Sequence, residues 1–244
     1  MKQPQPKDQQ PDRQPFANKP IRSRRKRIRG FEALTGLVII LAAFSYLTSL
    51  LLDFNFVSPY ATLQEDLAYL SDNTQNQRIS SWSWLATSMV TLAAIPFYLL
   101  VFRKKLRALH YINSLIMLAA SAGFFLMGKI GLELHESMLQ ILGEGIDQAN
   151  LQLKLALLDQ FRQEQVYRRL GSSCVGMFAI GLSLTRLRWR RFPLFATGIL
   201  LISGPVLIFF NWYDPDHLAR TAAMAGIMIG VAVFCVRLIN KGIG

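Results

Sequence analysis

Cysteine and histidine are scarce in this chain, which has two of the former and three of the latter among its 244 residues. They form no CxxC pair and no HExxH motif, and the chain also lacks a nucleophile elbow, a Walker loop and a dinucleotide fingerprint. Cys174 and Cys235 fall within apolar runs, so we expect both thiols to pack as small apolar groups. These absences favour a protein that is not an enzyme, and they predict no catalytic residue and no cofactor.

Acidic residues are also few, because 15 Asp and Glu stand against 27 Lys and Arg, for a formal net charge of +12. Hydrophobic residues nonetheless make up 52% of the chain, a combination that soluble proteins rarely show. They are concentrated in runs long enough for an α-helix to cross a hydrocarbon core of about 30 Å. The sequence therefore predicts an all-α polytopic membrane protein, a bundle of six transmembrane helices at residues 31–52, 82–102, 109–132, 170–185, 192–212 and 218–239. The fourth run is short and rich in glycine, so an interfacial or tilted helix is the alternative there.

The charges of the loops predict the orientation of the six spans. With the amino terminus inside, the cytoplasmic segments hold 20 of the 27 Lys and Arg residues, and the outer loops hold 12 of the 15 acids. Lys and Arg are retained on the cytoplasmic side of short loops. We therefore expect a multi-pass protein of the cell membrane with both termini in the cytoplasm.

Residues 1–29 precede the first span and are predicted to form a disordered, basic cytoplasmic tail. The first 20 are rich in Gln and Pro and have little apolar surface to bury; a Pro-rich docking peptide is the alternative, although no PxxP motif occurs. The tail ends in a basic block directly before a membrane span, as a topology signal does, and no nucleic-acid-binding motif accompanies it. We expect no nucleic-acid partner. The candidates for binding anionic lipid are Arg22, Arg24, Arg25, Lys26, Arg27 and Arg29.

Two outer loops are long and carry apolar residues at helical spacing. In residues 53–81, Thr62 and Glu65 form a capping box that opens a run of regularly spaced leucines. In residues 133–169, a second apolar face continues into the fourth span without a helix breaker. We expect an amphipathic helix in each loop, packed on the rim of the bundle or in the headgroup layer; a lid over a ligand is the alternative.

Two groups of potential metal ligands end on the predicted outer face. One closes the third span, and the other occupies the short turn between the fifth and sixth spans. Imidazole and carboxylate groups together suit zinc or non-haem iron, but the spacing matches no established motif. Solvated turn residues are therefore the alternative. The candidate metal ligands are Glu133, His135, Glu136, Asp214, Asp216 and His217.

Small residues recur every four positions along the sixth span and predict close helix packing. The stripe consists of Ala222, Gly226 and Gly230, and it is a candidate surface for a helix–helix partner. No span carries a carboxylate at mid-membrane depth of the kind that proton-coupled transporters use. The sequence therefore gives no support to an ion-driven carrier.

The order of the elements resembles that of one family. A basic start ends in RG before the first span, SPYATLQEDLAYLSDNTQNQRIS precedes the second, and VYRRLGSSCVGMFAIGLSLTRLRWRRFPLFATGILLISG covers the fourth and fifth. Over roughly residues 25–240 the chain is similar to a family of uncharacterised six-span bacterial membrane proteins, known as a domain of unknown function. The opening of the fifth span by Phe192 and Pro193 is the closest match. The resemblance implies the same six-span architecture and no assigned activity or site.

The leading hypothesis for the function is a non-catalytic accessory or partner-binding subunit of the membrane, because packing stripes are present and catalytic groups are sparse. A small-molecule transporter or channel is the first alternative. A membrane metalloenzyme with a site on the outer face is the second.

Overall fold

The computed structural model of the protein describes residues 19–53, 63–102, 107–144, 150–185, 193–212 and 217–243. These residues form seven helices and the turns between them. The helices are α1 (Lys19–Asp53), α2 (Leu63–Asp72), α3 (Thr74–Phe102), α4 (Arg107–Glu144), α5 (Leu151–Leu184), α6 (Leu194–Trp212) and α7 (His217–Ile243).

The first helix is longer than the first predicted span, because α1 begins at Lys19. Residues 19–29, which the sequence assigns to a disordered tail, are therefore helical. Pro20 lies in the first turn, where its missing N–H is no loss, and the Arg and Lys residues that follow have high helix propensity. The helix of the span thus extends backwards through the basic block. Residues 1–18 lie outside the described part, and the side chains of the six lipid-binding candidates are not described, so lipid binding stays a prediction.

Six helices form a closed ring in which each packs against two neighbours. The order around the ring follows the chain, from α1 through α3, α4, α5 and α6 to α7, which packs against α1. We call the end at which α3 begins and α6 ends the hairpin end, because α4 and α5 continue past it as a helical hairpin. The opposite end, at which α1 begins and α7 finishes, is called the terminal end.

Five helices in the described part of the chain are long and apolar enough to cross a membrane. They are consistent with a multi-pass, membrane-embedded protein. The fourth ring member, α5, is not among them, because charged residues occupy its first half. The predicted count of six spans is thus not confirmed. The five segments are Gly30–Leu52, Thr74–Phe102, Ala108–Gly143, Leu194–Trp212 and Ala219–Asn240.

Hydroxyl groups join neighbouring helices of the ring. Between α1 and α3, Ser49 Oγ lies 2.8 Å from Thr87 Oγ1 and 2.6 Å from Ser83 Oγ. Between α3 and α4, the hydroxyls of Ser88 and Ser121 each donate to the backbone carbonyl of the other residue, at 2.8 and 2.9 Å. Such bonds contribute roughly 0.6 kcal/mol each in membrane bundles, so they fix register more than they supply stability.

The predicted small-residue stripe lies within the chain's own fold. A Cβ added at Gly226 would overlap the hydroxyl of Ser203, and one at Gly230 would overlap Leu200, both on α6. Ala222 is exposed. Two of the three stripe residues are therefore occupied by the contact between α7 and α6, and their helix–helix partner is in the same chain.

Apolar side chains form two separate clusters. The larger fills the ring, with Trp84, Phe124 and Phe234 among its buried members. The smaller lies past the hairpin end, where α2 and the projecting parts of α4 and α5 meet; its buried members are Leu70, Leu134, Met138, Ile141, Leu157 and Phe161. The helix at 63–72 is thus part of a packed subdomain with the hairpin. Its position relative to a membrane stays a prediction.

Candidate functional site

The α4–α5 hairpin extends well past the ring. With 38 residues, α4 is about 57 Å long, nearly twice a hydrocarbon core of about 30 Å. At the hairpin end, His135 of α4 lies beside Thr74, the first residue of α3, and Ser173 of α5 lies beside Trp212, the last residue of α6. The last nine residues of α4 and the first part of α5 consequently have only each other and α2 as packing partners within the described residues.

Several large apolar side chains of the hairpin are exposed. Leu151 and Leu155, one turn apart on α5, are 61% and 53% exposed, and Leu139 and Leu142 of α4 are 51% and 38% exposed. We call these four residues the leucine patch. Exposed Gln140, Gln152 and other polar side chains occur beside it in the sequence. Leu151 and Leu155 lie outside the five apolar segments, whereas Leu139 and Leu142 are in the last turns of Ala108–Gly143. An exposed apolar surface with polar neighbours is typical of a protein-binding site.

The predicted metal ligands on α4 point in different directions. Glu133 forms an ion pair with Lys129, at 3.4 Å, and both side chains are largely exposed. His135 is half-buried, and its Nδ1 lies 2.9 Å from the carbonyl oxygen of Thr74. Glu136 is exposed. His135 is two positions from Glu133 and one from Glu136, and residues at these spacings do not share a helix face. The imidazole therefore does not converge with the two carboxylates, which are three positions apart.

The other three metal candidates belong to the connection between α6 and α7. Asp214 and Asp216 lie outside the described residues, and His217 is the first residue of α7, with no described side chain. Among the residues whose side chains are described, no three His, Cys, Asp or Glu side chains come together as a metal site. The metal hypothesis accordingly stays a prediction that rests on the turn between α6 and α7.

The contact of His135 fixes its tautomer. A carbonyl oxygen only accepts hydrogen bonds, so Nδ1 carries the proton and donates it to Thr74. The imidazole of His135 therefore joins α4 to the start of α3. Metal-binding histidines are held by backbone carbonyls in the same way, with Nε2 directed to the metal.

A buried polar layer separates the two apolar clusters. It consists of Gln77 on α3 and of Glu164 and Arg168 on α5, all of them at least 94% buried. Gln77 Nε2 donates to Glu164 Oε2 at 2.9 Å, and Arg168 Nη2 lies 3.6 Å from Glu164 Oε1. A Cβ at Gly131 of α4 would overlap the hydroxyl of Ser81 and come 3.2 Å from Gln77 Nε2, so the glycine allows α3 to approach α4 closely here.

The ring interior next to the polar layer is closed by aromatic side chains. Trp84 stacks on Phe124 with ring centroids 5.0 Å apart, and Tyr46 packs against both. The Tyr46 hydroxyl donates to Ser172 Oγ at 3.1 Å and so joins α1 to α5 across the ring. We call Tyr46, Trp84 and Phe124 the aromatic layer.

A second polar network lies at the terminal end. Asn113 Nδ2 donates to the Tyr98 hydroxyl at 3.0 Å, and that hydroxyl lies 2.9 Å from His110 Nδ1. The Tyr98 hydroxyl therefore links Asn113 and His110, which lie one turn apart on α4. Phe102 stacks on the His110 ring with centroids 4.4 Å apart. The network is fully buried and closes this end of the ring.

The polar layer is the feature that the sequence interpretation missed. Glu164 is one of the polar positions of the amphipathic helix predicted before the fourth span, yet both Glu164 and Arg168 are buried. A signal was present, because the two residues continue the stripe of Leu157 and Phe161 at intervals of three and four residues. Charged residues on an apolar stripe indicate a buried pair.

No family model, curated protein or solved structure significantly matches the chain. The resemblance to six-span bacterial membrane proteins therefore stays a prediction. The function has to be inferred from the geometry of the helices and their exposed and buried groups.

Proposed function

We propose that this chain is a non-catalytic, partner-binding subunit of a membrane complex, and that the leucine patch on the α4–α5 hairpin is its docking surface. The observation that carries the proposal is the exposure of Leu139, Leu142, Leu151 and Leu155 on a hairpin that extends past the ring. Burial of the exposed part of each leucine by a partner would stabilise the complex by about 1 kcal/mol before the costs of association.

The geometry favours a protein over a lipid surface as the occupant. α4 is one uninterrupted helix from Arg107 to Glu144, so a helix that crosses the bilayer with its first two thirds carries its last turns away from it. Leucines at that distance do not reach the headgroup layer. Leu151 and Leu155 have the spacing with which one helix packs against another, so we propose an apolar helix of a second protein as the occupant.

We further propose that α5 crosses the membrane, which gives six spans. Its second half packs between α4 and α6: a Cβ at Gly171 would meet Phe124 of α4, and one at Gly176 would lie 2.8 Å from the carbonyl of Gly204 on α6. Both neighbours are candidate spans. Six spans and the basic loops support an orientation in which both termini are cytoplasmic, the hairpin is outside and the basic block of α1 meets anionic lipid.

A transporter or channel is the alternative, and it would need a route along the ring axis. The aromatic layer and the network of Tyr98 and His110 occupy that axis at two levels. Transport would require both to move. The metalloenzyme alternative depends on Asp214 and Asp216, outside the described residues.

Site-specific crosslinking in the native membrane tests the docking surface. A photoreactive residue at Leu151 or Leu155 is expected to give an adduct with one protein, whereas the same residue at Leu118, exposed on the ring, is expected to react with lipid. The partner is then identified from the adduct and must co-purify with the unmodified chain.

A matched pair of variants decides whether that partner uses the patch. Leu151→Ser with Leu155→Ser is expected to abolish co-purification, and Gln152→Ser with Gln163→Ser, exposed positions on the same helix, is expected to retain it. Equal recovery of the partner with both pairs would refute the docking surface.

A further inference from the structure

An apolar cavity of about 80 Å³ lies inside the ring. Five of the six ring helices contribute to its wall, among them α1 with Ile39, α4 with Met117, α5 with Phe178 and α7 with Val231. The space exists because alanines occupy the positions that face it, notably Ala43 and Ala120. Larger apolar residues are usual at such positions in a packed bundle.

The cavity lies at the centre of the membrane-spanning segments. Ala42 and Ala43 are at the middle of Gly30–Leu52, and Ile227 and Val231 are close to the middle of Ala219–Asn240. In a bilayer this depth is the level at which the ends of the acyl chains meet. Hydrocarbon is therefore the most concentrated small apolar material around the cavity.

The chemistry of the wall excludes polar ligands. Of its two hydroxyl-bearing residues, Tyr46 already donates its proton to Ser172, and the remainder of the wall apart from Thr91 is aliphatic, aromatic or sulfur-containing. An apolar cavity offers water too few hydrogen-bond partners, but it accepts apolar molecules. The volume is roughly half that of a cavity of about 150 Å³ that accepts benzene, so only a few carbon atoms fit.

We propose that this cavity binds the end of a hydrocarbon chain, supplied by a membrane lipid. The aromatic layer stops the chain towards the hairpin end, and the packed rings of Tyr98 and Phe102 stop it towards the terminal end. The bound chain end fills the space between α1, α4 and α7. It thus packs with the apolar core as an exchangeable ligand. This binding does not depend on the docking surface of the hairpin.

Quenching of Trp84 fluorescence by brominated lipid tests the proposal. Trp84 is 1% exposed and stacks on Phe124, which lines the cavity. In a background with Trp82→Phe, Trp189→Phe and Trp212→Phe, it is the single tryptophan. We expect strong quenching in vesicles of phosphatidylcholine brominated near the chain ends, and weak quenching when the bromine is near the headgroup.

A cavity-filling variant distinguishes quenching by a lipid chain inside the cavity from quenching by the lipid around the bundle. Ala120→Leu fills the space and is expected to abolish the quenching, while Ala119→Leu, exposed on the outside of the same helix, is expected to leave it unchanged. Ala120→Val serves the same purpose if the larger residue prevents folding, which a shift of the Trp84 emission to longer wavelength would reveal. Equal quenching in the Ala120 and Ala119 variants, or none in the parent, would overturn the proposal.

A free hydrocarbon molecule is the second ligand whose chemistry suits the cavity. Brominated alkane added to the protein in detergent is expected to quench Trp84 in competition with lipid. Quenching by the alkane together with none by the brominated lipid would refute the lipid source.

Discussion

Gln77 of α3 donates a hydrogen bond from Nε2 to Oε2 of Glu164 on α5, at 2.9 Å, and so joins two helices that are not neighbours in the ring. The Gln77 amide lies close to the α4 backbone at Gly131, where an added Cβ would come 3.2 Å from Nε2 and would overlap the hydroxyl of Ser81. The hydrogen bond therefore holds the start of the ring helix α3 against the base of the projecting hairpin. The orientation of the hairpin depends on a buried polar contact as well as on apolar packing.

Removal of the Glu164 carboxylate is expected to destabilise the fold strongly. Glu164→Leu leaves the Arg168 guanidinium buried without its carboxylate, at an expected cost of about 3–5 kcal/mol. Replacement of both residues, Glu164→Leu with Arg168→Met, is expected to cost much less, because no buried charge is left. Unfolding in mixed micelles measures both variants. If the double variant is as unstable as the single one, the unpaired charge of Arg168 does not account for the destabilisation by Glu164→Leu.

Close packing of α7 on α6 gives a second prediction. Gly226→Leu places a branched side chain against Ser203 and is expected to destabilise the bundle by about 1–3 kcal/mol. Ala225→Leu is the control, because Ala225 is the preceding residue and is exposed. Thermal unfolding in detergent compares the two. Equal melting temperatures would mean that α7 does not contact α6 through this face.

The sequence predicted the helical class and the approximate positions of the spans because long apolar runs and loop charges are local features. The order of helices around the ring was not predicted, since it depends on which faces meet. Gly226 and Gly230 gave a sign of close packing, but the sequence did not reveal that α6, and not another chain, is the partner. The burial of Glu164 was missed because the helix predicted in the outer loop of residues 133–169 was expected to keep its charged positions at the surface.

The number of spans and their orientation are tested together by labelling single cysteines in intact cells with an impermeant thiol reagent. Cysteines at Asn76, Ala108 and Leu194 are all at exposed positions, and the native thiols of Cys174 and Cys235 are buried. With six spans and an inside start, Asn76→Cys is labelled and the other two are not. Labelling at both Asn76 and Leu194 would show that α5 does not cross. Labelling at Ala108 and Leu194 but not at Asn76 would show six spans in the reverse orientation.

His135 has two proposed roles, a hydrogen-bond donor to Thr74 and a metal ligand, and substitutions distinguish them. If it only joins α4 to α3, His135→Ala loses one hydrogen bond and costs about 1 kcal/mol, whether or not a chelator is present. His135→Asn is expected to recover most of the lost stability, because the amide Nδ2 of asparagine donates from nearly the same position as Nδ1.

A metal site with His217 behaves differently: Asn does not replace imidazole as the ligand, and bound metal stabilises the native state. We expect the rescue by Asn, and no stoichiometric zinc or iron in the parent or in His135→Ala with His217→Ala. Metal bound by the parent and absent from the double variant, with Asn as unstable as Ala, would establish the metal site.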